Sequence, residues 1–165
     1  MDSCRADDLL KGKFPEAILN IEEFRGETSI TVDMNNIRAV MTFLKNSENL
    51  NYDLLLDLAG VDFAGQSPRF MISYLLHSTK FNNKLRIKTR IPEDGALDTV
   101  SDIWKAANWM EREAYDMFGI TFNNHPDLKR ILLTEDFVGY PLRKDFPLEG
   151  HNFDQPFTVC LEEEQ

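Results

Sequence analysis

Between Lys84 and Ile91 the chain alternates without interruption: Leu85, Ile87, Thr89 and Ile91 face one way, and Lys84, Arg86, Lys88 and Arg90 the other. A strand of this kind needs a sheet with one covered face, because burying four bases without partners would cost several kcal/mol each. Asn82-Asn83 precedes it as a hairpin loop, and Pro92-Glu-Asp-Gly95 ends it. Upstream, Phe70, Ile72, Tyr74 and Leu76 alternate with Met71, Ser73, Leu75 and His77, which predicts a strand covered on both sides.

The rest of the chain supplies the second layer. Leu9 to Leu19 has a weak helical spacing around Pro15, and Thr28, Ile30 and Val32 alternate as a strand. Asp33 is a plausible N-cap for a helix whose apolar residues, Ile37, Val40, Met41 and Leu44, recur at i, i+3, i+4 and i+7. Tyr52 to Phe63 reads as a strand and its turn, broken by Ala64-Gly-Gln-Ser-Pro68. Leu97, Val100, Ile103, Trp104 and Ala107 predict a further helix capped by Asp98 or Thr99, with Asn108 separating it from a charged helix. Ile120 to Phe122 suggests a short strand. His125-Pro126 then opens a helical turn with Leu128, Ile131 and Leu132 inward.

This order predicts an α+β fold: a two-layer domain with helices packed on a mixed β-sheet, followed by an extended C-terminal arm. The expected divisions are an acidic leader at 1–8, the α+β core at 9–122 and the arm at 123–165. The arm holds aromatic residues and prolines with little periodicity, so packing on another subunit is its simplest way to bury them.

A chain of 165 residues suits one such domain, and its net charge of −10 argues against nucleic acid as a partner. The charge is uneven. Residues 64–91 carry six bases and no acids, whereas residues 148–165 carry five acids and no Lys or Arg. No span has the apolar length to cross a bilayer, and the acidic leader lacks the character of a secretory or transit signal. The chain is therefore expected to stay where it is made. Cys4 and Cys160 have no Cys neighbours, which excludes a four-Cys iron–sulfur or zinc site within the chain. Free thiols are expected in preference to a disulfide between the ends.

Asn108 to Pro147 concentrates the functional candidates. On a helix from Trp109 to Phe118, Met110, Ala114, Met117 and Phe118 share an arc, with Trp109 and Tyr115 at its margins and Gly119 as the stop. Arg112 and Asp116 are i,i+4 neighbours, and Glu113 falls at the edge of the apolar arc, where a carboxylate needs a cation. Lys129, Arg130, Arg143 and Lys144 are the nearest cations beyond the helix. The stretch thus reads as a helix and a returning arm tied by ion pairs.

Other chemistry fits less well. A hydrolase would use Glu111, Glu113 and Asp116 as general acid and base, but these point in different directions and lack a nucleophile. The three histidines, His77, His125 and His151, form no zinc-binding spacing, and His125 is expected to cap the 126 turn and meet a carboxylate. The stripe from Lys84 to Arg90 fits an acidic protein neighbour about as well as an ordinary solvated strand face. Leu142, Arg143 and Phe146, held extended between Pro141 and Pro147, are better anchors for a partner.

Glu111-Arg112-Glu113, two residues, Asp116-Met117-Phe118, six residues, then His125-Pro-Asp-Leu-Lys-Arg-Ile-Leu resembles the signature of the 30-kDa, or C, subunit of respiratory complex I. Pro141-Leu-Arg-Lys-Asp-Phe-Pro147 matches the arm of the same family. The family often has Gly where Asn124 stands, and Asn also tolerates the left-handed backbone. The resemblance implies a cofactor-free subunit in the peripheral arm of a proton-translocating NADH:quinone oxidoreductase, in contact with the D (49-kDa) and B subunits. It places FMN, iron–sulfur clusters and quinone in those partners, and the chain on the cytoplasmic side of a prokaryotic inner membrane or the matching organellar face. Glu111, Arg112, Glu113, Asp116, His125, Arg130, Leu142, Arg143, Lys144, Asp145 and Phe146 lie on the matching segments and are expected to serve structure and partner binding. A related membrane-bound hydrogenase, or a dehydrogenase fed by another donor, is the alternative.

Overall fold

Leu54 to Ile91 builds the centre of the fold because its three apolar runs alternate and its connections are short. A computed structural model describes residues 6–148. Cys4, Cys160 and His151 lie outside them, with the expectations attached to each. Strands β1 (Ile18–Phe24), β2 (Glu27–Val32), β3 (Leu54–Asp62), β4 (Phe70–Ser78) and β5 (Asn83–Ile91) form one sheet in the order β1-β2-β5-β4-β3. β2 and β5 pair in parallel and the other neighbours antiparallel, so the sheet is mixed as expected. A second, parallel pair joins β6 (Ala96–Asp98) to β7 (Thr121–Asn123).

Three helices, α1 (Ala6–Lys13), α2 (Ile37–Asn46) and α3 (Ala107–Phe118), complete the layer. The α2 stripe is buried as predicted through Ile37, Val40, Met41 and Leu44, and shares one apolar cluster with Ile30, Ile72, Tyr74, Leu76 and Ile87 of the sheet. Asp33 accepts the Asn35 amide at 3.1 Å and caps the short 3-10 turn leading into α2. On β5 the apolar residues are buried and the bases lie on the open side. β4 is one-sided too: Phe70, Ile72, Tyr74 and Leu76 are buried, but Met71, Ser73, Leu75 and His77 only half so, which corrects the two-sided expectation.

Several boundaries differ from the sequence reading. Leu9 to Leu19 is not one helix: α1 ends at Lys13, a turn contains Pro15, and β1 begins at Ile18. Residues 6–8 of the supposed leader start α1, with Ala6 buried. The predicted helix over 97–107 is absent. Leu97 belongs to β6, and 100–106 is a chain of turns closed by Ile103 and Trp104 amides on Val100 O and, at the start of α3, the Ala107 amide on Trp104 O. Leu97, Val100, Trp104 and Ala107 are nevertheless buried. After Asn124, whose φ of 60° is the left-handed backbone expected there, 126–127 is a turn and no helix follows among the described residues. Leu128 and Leu133 pack inward, while Leu132 is 63% exposed, against expectation.

Candidate functional site

Helix α3 has two buried sides, and each carries a carboxylate. Ala107, Glu111, Ala114 and Phe118 fall on one side at helical spacing and are buried, and α3 packs on β3. Phe118 lies so close over Gly60 of β3 that a Cβ there would stand 2.7 Å from its ring, so any larger residue would force the ring to shift. Glu111 is fully buried on this side. It accepts the Thr99 hydroxyl at 2.5 Å and the Val100 amide at 2.8 Å, fastening the turns before α3 to the helix. His125 closes the cluster. Its Nδ1 accepts the Asp127 amide at 3.1 Å, which leaves the proton on Nε2, 3.1 Å from Asn108 O and 3.8 Å from Glu111 Oε2. His125 thus caps its turn and approaches a carboxylate, as the sequence suggested.

Burial pushes the Glu111 carboxyl up to about 7; the Thr99 and Val100 bonds oppose the shift and nearby Asp102 adds to it. No ion pair with Lys or Arg compensates it among the described residues.

Asp116 occupies the opposite side of α3, where the arm covers it. Its Oδ2 accepts the amides of Ile131, Leu132 and Leu133 at 3.0, 2.8 and 2.9 Å, and Oδ1 meets Arg130 Nη1 at 2.7 Å. Burial alone would raise this carboxyl, but the Leu133 and Ile131 amides, Arg130 and the Leu132 amide together hold it below the usual range. Arg130 continues through Nη2 to Phe137 O and Gly139 O, both at 3.0 Å. Arg112 does not pair with its helical neighbour Asp116. It donates to Lys129 O and Arg130 O at 3.0 and 2.9 Å, so both side chains grip the same loop. Glu113, expected to need the cation, is exposed; Glu111 and Asp116 are the buried acids of α3.

The arm returns once more near Gly119. Gly119 takes φ 75° at the end of α3, and a Cβ there would fall 2.6 Å from the Tyr140 ring. Leu142 donates its amide to Met117 O, and Arg143 Nε donates to Phe118 O at 2.6 Å. Asp62, at the end of β3, accepts the Lys144 amide at 2.9 Å and both ends of the Arg69 guanidinium at 2.9 and 3.0 Å. Arg69 also holds Asp145 at 2.6 Å and Glu93 at 2.9 Å, and Glu93 reaches Arg143 at 3.1 Å. Hydrogen bonding to Arg69 is the main force holding the Asp62 carboxyl below its usual range.

Of the arm residues expected to hold a partner, Arg143, Asp145 and the Lys144 backbone are engaged within the chain, and Phe146 stacks on Phe137 at 5.9 Å. Leu142 and the Lys144 side chain face solvent. Asp62, Arg69 and Glu93 escaped the sequence reading as site residues, and Thr99 entered it only as a helix cap. Asp62 gave one usable signal, an acid closing an apolar strand. The bases of β5 are braced: Lys88 meets Glu22 at 3.2 Å, Arg86 meets Glu27 at 3.4 Å, and Arg90 donates to Pro68 O at 2.6 Å. Among the described residues, no group of three or more His, Cys, Asp or Glu could hold a metal, and no helix is long and apolar enough to cross a membrane. Chemically, Glu111 and Asp116 are closed to solvent and accept from donors on other segments, Asp116 from four and Glu111 from two, an arrangement suited to holding segments together.

The chain is similar to known proteins over most of its length. A family described as "Respiratory-chain NADH dehydrogenase, 30 Kd subunit" matches residues 30–152. A relative from Geobacter metallireducens, named as the C subunit of NADH-quinone oxidoreductase, is 51% identical over 148 residues, covering 88% of this chain and 90% of its own. Two solved structures, each 28% identical, extend the likeness to the fold. A trypsin-resistant fragment of Nqo5 superposes with a TM-score of 0.64 over 74% of this chain and 98% of its own. A chain of the membrane-bound sulfane sulfur reductase, an archaeal respiratory membrane complex, gives 0.73 over 86% and 84%. The match takes in β3, β4, β5, α3 and the clamped loop, so the chain belongs to the 30 Kd subunit family of respiratory-chain NADH dehydrogenase.

Proposed function

We propose that this chain is the 30-kDa (C) member of the peripheral arm of a proton-translocating NADH:quinone oxidoreductase, and that its work there is structural. The observation that carries the reading is the 51% identity to the Geobacter relative over nearly the whole of both chains. The α3 clamp supplies a physical role, because electron tunnelling and quinone binding both require modules held in fixed geometry. In this reading the chain carries no cofactor; FMN, iron–sulfur clusters and quinone belong to its partners. The D (49-kDa) and B subunits are the neighbours, and the complex holds the chain at the membrane on the cytoplasmic side.

Exposed arm side chains are the contact points. Leu142 is 53% exposed although its backbone is pinned to α3, the posture of an anchor presented outward. Affinity isolation of the full chain from native membranes should recover the D and B subunits, and Leu142→Asp should deplete them about tenfold without lowering the chain's own thermal midpoint. Recovery of the chain alone, or an assembled Leu142→Asp complex that loses only quinone reduction, would overturn the scaffold role.

A second reading has its own support in the likeness to a chain of the archaeal sulfane sulfur reductase complex. The same subunit design then serves a membrane-bound hydrogenase or a dehydrogenase fed by another donor. The cofactors of the co-isolated chains distinguish the two.

A further inference from the structure

A cleft of 710 Å³ opens beside the first turn of α3, between Arg38 of α2, the 99–105 turns and Trp109. Its far wall is rigid: Arg38 holds Asp102 through both nitrogens, at 3.0 and 2.6 Å, and donates to Thr99 O at 2.8 Å. Its near wall is Trp109, 59% exposed on a chain that buries its other tryptophan, Trp104. Between them stands Lys105, exposed and without an ion pair among the described residues. Arg112 lies over the Trp109 ring at 5.3 Å and holds the ring's outer side while it donates to backbone carbonyls. Asn108 lines the same cleft at the start of α3.

These features ask for one kind of occupant. An exposed Trp beside an unpaired lysine suits an apolar group carrying a negative charge. A protein segment with a carboxylate beside an apolar side chain supplies both. A second copy of this chain is disfavoured, because each copy carries a net charge of −10. We propose that the cleft receives an apolar, carboxylate-bearing segment of a neighbouring subunit, with Trp109 as its apolar platform and Lys105 as the cation that sets its position. The inference rests on the subunit reading above, but uses a surface distinct from Leu142, although Asn124 and Pro126 at the start of the arm also line the cleft.

The test replaces Trp109 with the photo-crosslinker benzoylphenylalanine in the full chain, in its native host. After irradiation the complex is isolated and the adduct sequenced. The expected adduct is a partner-subunit peptide with Asp or Glu beside an apolar residue. Lys105→Glu should lower its yield about tenfold while Lys105→Arg preserves it, both with an unchanged thermal midpoint. A complex-bound chain whose adduct is missing, or lies within the chain or on a second copy, overturns the docking inference and leaves complex membership standing. A chain found in no complex overturns both.

Discussion

Glu111 and Asp116 sit on the same helix, both without solvent exposure, yet their environments move their acidities in opposite directions. The difference lies in the donors. Asp116 has three amides and a guanidinium, enough to outweigh desolvation, whereas Glu111 has a hydroxyl and one amide. The sequence pointed to Glu113 because the arc was centred on Met110 and Met117; centring it on Ala107, Ala114 and Phe118 places Glu111 in its middle. Asp116 could not be found this way, since it is buried by a loop outside the helix. The raised Glu111 carboxyl has a consequence for stability. Its folded value, about 7, exceeds the ordinary 4.5, so the folded state holds the proton longer than the unfolded chain. The contribution is therefore full below 4.5 and is lost as pH rises toward 7, by ~3 kcal/mol for a shift of this size. Glu111→Gln removes the titration. Subtracting its urea-unfolding profile from that of the parent protein should leave a fall of that order between pH 4.5 and 7. A flat difference would show that Glu111 titrates normally.

At the scale of elements, the parts legible in the sequence are those whose burial comes from a single flat partner. β5 and α2 each meet one surface, so alternation and the helical stripe survive intact in their residues. The segment from Leu97 to Ala107 misleads because successive single turns also bring i, i+3 and i+4 together; pairing of β6 with β7, distant in sequence, decides the backbone instead. β1 is an edge strand with mostly exposed residues, so it carries almost no apolar period. The arm is the hardest case: its order comes from Arg69, Asp62, Glu93 and α3, all far away in the chain. Arg69 is the hub, with its side chain 12% exposed and three carboxylates around it. Arg69→Ala leaves Asp62 buried without its main partner and should cost about 3 kcal/mol. Hydrogen exchange at the Lys144 amide, which donates to Asp62, should accelerate with it, while amides of α2 follow only the global loss. Unchanged protection at Lys144 would mean that the arm is held by other contacts. Glu113→Ala, at an exposed position, should stay within about 0.5 kcal/mol of the parent.

For the molecule as a whole, the expected division at 122 separates a core from an arm that the structure binds chemically together. The apolar cluster lies almost entirely before residue 123, so a chain ending at Asp127 should still fold on the sheet. It would keep the His125 turn but lose Arg130 and the three amides that satisfy Asp116. In the full chain, Asp116→Ala strands the Arg130 guanidinium and three donors, and should cost about 3–5 kcal/mol. In the shortened chain those donors are gone. The carboxylate is then a charge on an apolar helix side, or is hydrated after the loop has left, and removing it should cost nothing or stabilise by up to about 1 kcal/mol. The two backgrounds thus form a cycle in which one substitution loses its cost or changes sign, measured by urea unfolding of four proteins. An equal loss in both would place the partners of Asp116 inside the core and would break the link between clamp and arm. Loss or reversal of the cost would instead tie the order of the arm to a single buried carboxylate, and with it the outward posture of Leu142.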